Sequence, residues 1–207
     1  MIHPDSELVF ISEAVGRGVR ATTRIPTGTL VWVLDRFDHV LPQREVDELD
    51  AAHRRLVETW GYRDARGRWI LCSDAGRFVN HSCAANIRGV GGDMMIAVRP
   101  IEAGDEITCD YAECNTELQC ACGAPECRGL VRGADLLEHT EAWDAEVRDA
   151  MKRASGVDQP LLRYATDWLR FQKWCAGAAI PSVAEIYFDE SSSESEPPIG
   201  RRPSQPG

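Results

Sequence analysis

Short apolar runs separated by turn residues occupy most of the first 130 or so positions, a pattern typical of β-strands. They predict strands at residues 8–12, 19–21, 30–35 and 69–72, then a hairpin of residues 87–90 and 94–98. Between them, apolar positions recur every three or four residues, which predicts one amphipathic insert helix over about residues 43–60. The pattern therefore indicates a mostly β fold with helical additions.

The pattern changes to helical after Gly133. Two apolar stripes predict two helices, and Ser182 with Glu185 resembles a capping box of a short third helix. We interpret residues 134–188 as a helical extension packed on the β domain, with dimerisation or substrate recognition as alternative uses. The two stripes are Leu136, Leu137, Thr140, Trp143, Val147, Ala150 and Met151, and Leu161, Ala165, Trp168, Leu169, Gln172 and Cys175.

The C-terminal tail, residues 189–207, is rich in Ser, Glu and Pro. Such a composition buries too little apolar surface to fold, so the tail is predicted to be disordered. We interpret it as a solvated tail, with phosphorylation as the alternative use.

The chain has 207 residues, a hydrophobic fraction of 43% and a formal charge of −10. The apolar content suffices for a packed core of one domain with an appendage, or of two small domains. The charge argues against direct nucleic-acid binding and favours a basic protein partner, although solubility alone also explains it.

Because there is no signal-peptide pattern and no run of ~20 apolar residues, we expect an intracellular protein, cytoplasmic or nuclear, without a membrane partner. The oligomeric state stays open.

Cys120, Cys122 and Cys127 form a C-x-C-x4-C cluster with a Gly-Ala-Pro turn inside it. A structural zinc ion takes four protein ligands, so a fourth cysteine is expected, with Cys83 as the candidate and Cys114 as its competitor. Disulfides are the alternative, but dense cysteine spacing in an intracellular chain favours a metal. By default, ordinary buried thiols are expected at Cys72, Cys109, Cys114 and Cys175.

Residues 77–83 read RFVNHSC and place four polar side chains after two apolar ones. Buried polar groups need hydrogen-bond partners. Alone, the motif is typical of a turn whose Asn and Ser side chains bond the backbone. The upstream Gly16-Arg17-Gly18 alone is typical of a hairpin turn.

Taken in order, the turn GRGVRA, the stretch RFVNHSCAAN, the segment EITCDY and the cysteine cluster resemble the SET domain of protein lysine methyltransferases with a post-SET zinc motif. The resemblance covers about residues 8–132. Departures are Arg17, Ala85 and Ile107, where the family commonly has an aromatic residue, proline and leucine. The resemblance implies a SET-domain β fold with threaded, pseudoknot-like C-terminal segments, a catalytic domain at residues 8–111 and a zinc motif at residues 116–132.

The resemblance also implies roles for single residues. Tyr111 is expected to be catalytic, and Cys83 is expected to join the three clustered cysteines on zinc. Cys109 takes the position where an aromatic residue influences how many methyl groups fit, so di- or trimethylation is expected. The residues implied to bind S-adenosylmethionine are Gly16, Arg17, Gly18, Arg77, Phe78, Asn80, His81 and Tyr111.

The function implied is methyl transfer from S-adenosylmethionine to a lysine of a histone or another basic protein. The alternative is a non-catalytic SET module that binds a protein tail or scaffolds a complex, with a purely structural zinc ion. Retention of Tyr111, Asn80 and His81 favours the enzyme. A zinc-dependent nucleic-acid binder is disfavoured by the negative charge. Trp60, Tyr62 and Trp69 are expected to be core or packing residues, and only the family analogy would place one of them in the substrate groove.

Overall fold

The computed structural model describes residues 1–189, which form short strands in four sheets together with four α-helices. The strands are β1 (Ser6–Ser12), β2 (Gly16–Ala21), β3 (Leu30–Val33), β4 (His39–Leu41), β5 (Tyr62–Arg63), β6 (Trp69–Leu71), β7 (Asn80–His81), β8 (Ile87–Val90), β9 (Met94–Ala97), β10 (Glu106–Cys109), β11 (Leu118–Gln119) and β12 (Leu130–Val131). The helices are α1 (Gln43–Asp47), α2 (Ala51–Trp60), α3 (Asp135–Ala154) and α4 (Trp168–Cys175), with 3₁₀ helices at Ala75–Phe78, Tyr111–Cys114, Leu162–Tyr164 and Val183–Ile186. The predicted fold, mostly β with helical additions, is confirmed.

The central sheet brings together segments that are far apart in the sequence. Its strand order is β1-β2-β10-β7. Strand β10 pairs antiparallel with β2 and parallel with β7, which matches Thr108 with Asn80 and Cys109 with His81. Just after β7, the N–H of Ser82 donates to Cys109 O at 3.0 Å. The motif RFVNHSC is therefore threaded against the closing segment EITCDY.

A second sheet, of order β3-β9-β8, lies between two hydrophobic cores. Leu30 belongs to the core shared with α3, whereas its neighbour Val31 belongs to the core shared with Val19 and Ile107 of the central sheet. These side chains are fully buried. Successive residues of a strand point to opposite faces, so β3 serves both cores.

The helical extension is fixed to the β domain by hydrogen bonds as well as by apolar packing. Gln159 Nε2 donates to Gly28 O at 2.7 Å, and Leu30 N donates to Gln159 Oε1 at 2.8 Å. The predicted packing of the extension on the β domain is therefore observed. The buried face of α3 consists of Leu136, Trp143, Val147, Ala150, Met151 and Ala154.

Two helix predictions need correction. The single insert helix expected over residues 43–60 is divided into α1 and α2, because Asp50 caps a new helix by accepting from Ala52 N and His53 N. In the extension, α4 begins only at Trp168 after the Asp167 cap. The helix therefore buries Phe171 and Trp174. Of the predicted positions, Leu161 and Ala165 are buried as expected, whereas Leu137, Trp168 and Leu169 are exposed.

Two further predictions concern the tail and membranes. The predicted disordered tail begins at Asp189, and its residues 190–207 lie outside the described residues. Among the helices of residues 1–189, none combines the length and the apolar character that a membrane span requires.

Candidate active site and metal centre

A central cavity of about 760 Å³ opens between the β1–β2 turn, the RFVNHSC stretch and the 3₁₀ helix that begins with Tyr111. Six of the residues implied to bind the cofactor line it: Gly16, Arg17, Arg77, Phe78, Asn80 and Tyr111. Gly18 and His81 are not among the residues that line it. The cavity also has aromatic walls of Trp32, Trp60, Tyr62 and Trp69.

Asn80 fixes the glycine turn to the central sheet. Its Nδ2 donates to Arg17 O at 3.0 Å and to Glu106 Oε1 at 2.7 Å. Gly18 sits against this contact, since a Cβ there would lie 2.5 Å from Glu106 Oε1 and 2.7 Å from Asn80 Nδ2. The glycine at position 18 thus permits the approach of two polar side chains, whereas Gly16, at φ 81°, permits the turn itself.

Two guanidinium groups stand beside the cavity. Arg17 is exposed at the glycine turn, and Arg77 is half-buried with its guanidinium carbon 5.2 Å from the centroid of the Phe78 ring. Guanidinium groups pair well with carboxylates, and aromatic faces such as Phe78 suit a planar base. The residues present therefore fit the amino-acid and adenine ends of S-adenosylmethionine.

Tyr111 is held at both ends. Its hydroxyl donates to Val79 O at 3.0 Å, and its backbone N–H donates to His81 Nδ1 at 3.1 Å. Burial, followed by the nearby thiols of Cys109 and Cys114, raises the pKa of the phenol. The hydroxyl is therefore protonated and oriented, because its hydrogen is committed to the Val79 carbonyl.

The predicted zinc cysteines converge. Cys120 Sγ lies 3.8 Å from Cys83 Sγ and 3.6 Å from Cys127 Sγ, and Cys83 N donates to Cys122 Sγ at 3.4 Å. A tetrahedral site with Zn–S bonds of ~2.3 Å has sulfur–sulfur edges of ~3.8 Å. Both the donor set and its spacing fit a structural zinc ion. The competitor Cys114 instead lines the central cavity.

His81 is a member of this centre that the sequence reasoning missed. One of its ring nitrogens and the Sγ atoms of Cys83, Cys120 and Cys122 all lie within 4.8 Å of one another. Burial lowers the pKa of His81, which favours the neutral ring. Since Nδ1 accepts from Tyr111, Nε2 carries the hydrogen and points at Cys83 Sγ, 3.3 Å away. His81 thus meets the cluster as a hydrogen-bond donor, and Cys127 Sγ, 3.6 Å from Cys120 Sγ, is the further thiol beside it. The spacing H-x-C on an extended segment was the available signal.

A buried charge network underlies the catalytic candidate. Asp110 is fully buried, and both of its carboxylate oxygens accept from Arg128 Nη2, at 2.6 and 2.7 Å. Arg88, 2% exposed, lies 3.9 Å from Asp110, 3.5 Å from Glu113 and 2.8 Å from Glu146 on α3. Its guanidinium carbon also lies 4.0 Å over the Trp143 ring. Isolated acidic and basic residues gave no sequence signal for this network.

The remaining thiols differ from the default expectation in part. Cys72 and Cys109 are buried as expected, whereas Cys114 and Cys175 are only half-buried. Cys72, Cys109 and Cys114 line the central cavity. A hydrogen bond with Cys114, together with burial, raises the pKa of Cys109, so this thiol is a neutral wall of the cavity.

Comparison with known proteins agrees with this geometry. The family model of the SET domain matches residues 16–112. The chain is 30% identical over 162 residues to the Schizosaccharomyces pombe histone-lysine N-methyltransferase, H3 lysine-36 specific, covering 69% of this chain and 20% of that protein. It is also 30% identical over 144 residues to the Drosophila melanogaster histone-lysine N-methyltransferase ash1, covering 60% of this chain and 6% of that protein.

A third similarity is to the Yarrowia lipolytica histone-lysine N-methyltransferase SET9, which is 44% identical over 87 residues, 38% of this chain and 10% of that protein. The chain spans no more than a fifth of the length of these three curated relatives. The fold and the match agree over residues 16–112, the part of the chain that is similar to a SET domain.

Proposed function

We propose that this protein is a lysine N-methyltransferase that transfers a methyl group from S-adenosylmethionine to a basic protein. The observation that carries the proposal is Tyr111, held at its hydroxyl and its backbone in the wall of a cavity that also contains two guanidinium groups. Relatives named as histone-lysine methyltransferases support the same reaction.

In this proposal Tyr111 acts at the transferred methyl group. Its hydroxyl hydrogen bonds the Val79 carbonyl, so the lone pairs of the phenol oxygen remain to accept C–H contacts. The oxygen would orient the methyl group and stabilise positive charge on it during transfer. S-adenosylmethionine, when bound, supplies the activated methyl group.

The aromatic part of the cavity would receive the substrate lysine. A free lysine has a pKa of ~10.4, and only its neutral amine is a nucleophile. Trp32, Tyr62 and Trp69 provide an apolar environment, which disfavours the ammonium form relative to the amine. The cavity would thereby prepare the lysine as well as position it.

Cofactor binding would use the residues on the other walls. Arg17 and Arg77 would pair with the carboxylate of the cofactor, and Phe78 and Gly16 would contact its remaining surface. Asn80 would act mainly by holding the glycine turn in place, because both hydrogens of its amide are used within the protein. His81 would contribute backbone groups rather than its ring.

We further propose that Cys83, Cys120, Cys122 and Cys127 bind a structural zinc ion. The sulfur spacing and the hydrogen bond from His81 to Cys83 support this ligand set. Because the same imidazole accepts from Tyr111 N, the metal centre and the catalytic residue share one side chain. The zinc ion would thereby stabilise the active-site geometry.

The proposed substrate is a protein that presents a lysine in a basic segment, a histone tail being one example. A formal charge of −10 attracts basic segments. Direct nucleic-acid binding is not part of the proposal.

The test is incubation of the purified full chain with methyl-labelled S-adenosylmethionine, core histones and a cell lysate. Label on a lysine of a discrete protein is expected, with the rate reduced about 100-fold or more in Tyr111→Phe, as for loss of a transition-state contact. Tyr164→Phe, on an exposed tyrosine of the extension, is the matched control and should retain activity. No label together with no cofactor binding in calorimetry would contradict the enzyme and favour the binding module.

A further inference from the structure

We propose that the last described segment of the extension, residues 183–188, forms a wall of the substrate-lysine channel, with Ile186 as the residue that sets the room for the lysine. The inference rests on the proposed function, which it makes more specific. It concerns a part of the chain beyond residues 16–112, where the SET-domain match ends. Ile186 is 7% exposed and lines the central cavity together with Tyr111.

The side chain of Asn115 joins this segment to the catalytic 3₁₀ helix by hydrogen bonds. It follows Cys114 directly and adopts the left-handed conformation at φ 51°. Its Nδ2 donates to Ile186 O and to Arg63 O, both at 3.1 Å, and its Oδ1 accepts from Phe188 N at 2.9 Å. One side-chain amide therefore joins the extension, strand β5 of the insert and the helix that begins with Tyr111.

The side chain of Ile186 occupies space that a glycine leaves. A Cβ at Gly89 would lie 2.7 Å from Ile186 Cδ1. Gly89 is on β8 and also donates its N–H to Glu113 Oε2 at 3.0 Å. Ile186 is thus packed onto the β3-β9-β8 sheet, at a glycine whose N–H also bonds Glu113 of the 3₁₀ helix that begins with Tyr111, and this packing fixes how far Ile186 reaches into the cavity.

The segment is anchored at its other end to α3. Val183 is 2% exposed in the core, and its N–H donates to Asp144 Oδ1 at 2.7 Å. The capping box of Ser182 and Glu185 shapes the 3₁₀ helix that follows. At the C-terminal end, the Phe188 ring packs on Gly67, where a Cβ would lie 2.5 Å from Phe188 Cζ. An anchored wall of this kind discriminates substrates better than a mobile loop.

An isoleucine wall has two chemical consequences. It excludes water from the amine of the lysine, and it limits the space for methyl groups on that amine. Removing the branched side chain should weaken substrate binding and permit additional methyl groups. Cofactor binding should be unaffected, because the guanidinium groups and the glycine turn belong to other walls of the cavity.

The experiment compares the full-length wild-type chain with Ile186→Ala, Ile186→Val and Leu169→Ala on the substrate that the labelling assay identifies. Ile186→Ala is expected to raise KM for the peptide ~10-fold and to raise the ratio of trimethyllysine to dimethyllysine in the product, with Ile186→Val intermediate. The Kd of S-adenosylmethionine should change less than about twofold. Leu169, 52% exposed on α4, is the control for an apolar deletion in the same extension.

A second variant separates channel geometry from misfolding. Asn115→Gly keeps the left-handed backbone conformation accessible but removes the hydrogen bonds of the side-chain amide. It should accelerate hydrogen exchange of the Phe188 amide and raise the peptide KM, while the melting temperature of the SET domain changes little.

The outcomes are distinct. If the wild type is active and Ile186→Ala has the same KM and the same product pattern, the proposal that Ile186 lines the lysine channel is wrong. If the wild type is inactive, the proposed function is wrong, and so is the role of Ile186 that rests on it.

Discussion

At the scale of the residue, Glu113 shows how burial sets a pH dependence. Burial raises the pKa of this carboxyl to about 7, against the opposing effect of Arg88. A raised folded-state pKa means that the folded protein binds the proton more tightly than the unfolded chain. The contribution of Glu113 to stability is therefore present below its ordinary pKa of 4.5 and is lost as the pH rises through about 7.

The matching prediction compares wild type with Glu113→Gln in urea unfolding of zinc-saturated protein between about pH 5 and pH 8. The stability of the wild type relative to the variant should fall as the pH rises, by about 1.4 kcal/mol for each unit of pKa difference that is crossed. The variant shares every cysteine with the wild type, so effects of pH on zinc cancel. A difference that is flat with pH would contradict a raised pKa.

Cys109 is a second residue whose size matters. It is 4% exposed, lines the central cavity and is the last residue of β10. We predict that the wild type forms di- or trimethyllysine, and that Cys109→Phe shifts the product to monomethyllysine because the ring fills the space beside the amine. Mass spectrometry of the product peptide measures this. Cys109→Ala is the control and should keep the wild-type pattern; only monomethyllysine from the wild type would refute the prediction.

At the scale of the element, the buried guanidinium of Arg88 joins α3 to the β3-β9-β8 sheet. Arg88 on β8 donates to Glu146 on α3 at 2.8 Å. Glu146→Ala would leave the buried guanidinium with less compensation, so we predict a loss of unfolding free energy of about 1–3 kcal/mol. Glu141→Ala on the exposed face of the same helix should cost less than about 0.5 kcal/mol. Equal losses in the two variants would show that Arg88 does not depend on Glu146.

At the scale of the whole molecule, the zinc site should couple folding to activity. His81 bonds both Cys83 and the backbone of Tyr111, so loss of the metal should disturb the catalytic segment as well as the cysteine cluster. We predict that chelation lowers both the melting temperature and the methylation rate, and that Cys83→Ser reproduces both effects. Cys175→Ser, at a half-buried thiol of α4, is the control. Full activity of metal-free protein, measured alongside its metal content, would disprove the coupling.

Much of the fold followed from local pattern. Strands β1, β2, β3 and β6 and the hairpin of β8 and β9 were predicted because their apolar runs are bounded by turn residues. The two- and three-residue strands β4, β5, β7, β11 and β12 were not predicted, because they are too short to show a pattern. The insert helix was predicted as one element because the spacing of apolar residues does not reveal that Asp50 caps a new helix. The second stripe was right at Leu161 and Ala165, which are buried, but wrong at Trp168 and Leu169, because Asp167 begins the helix later and tertiary packing buries Phe171 and Trp174.

The sequence by itself determined the order of motifs and the three clustered cysteines, because these depend on residue types and short spacings, and the family resemblance of those motifs implied the candidate Tyr111. Tertiary structure alone decided that Cys83 rather than Cys114 meets the cluster, that His81 bridges it to Tyr111, and that Ile186 reaches the cavity. Each of these contacts joins segments distant in the chain. Such contacts form only when the β7–β10 pairing and the extension together enclose the central cavity. A local hydrophobic pattern does not carry that information.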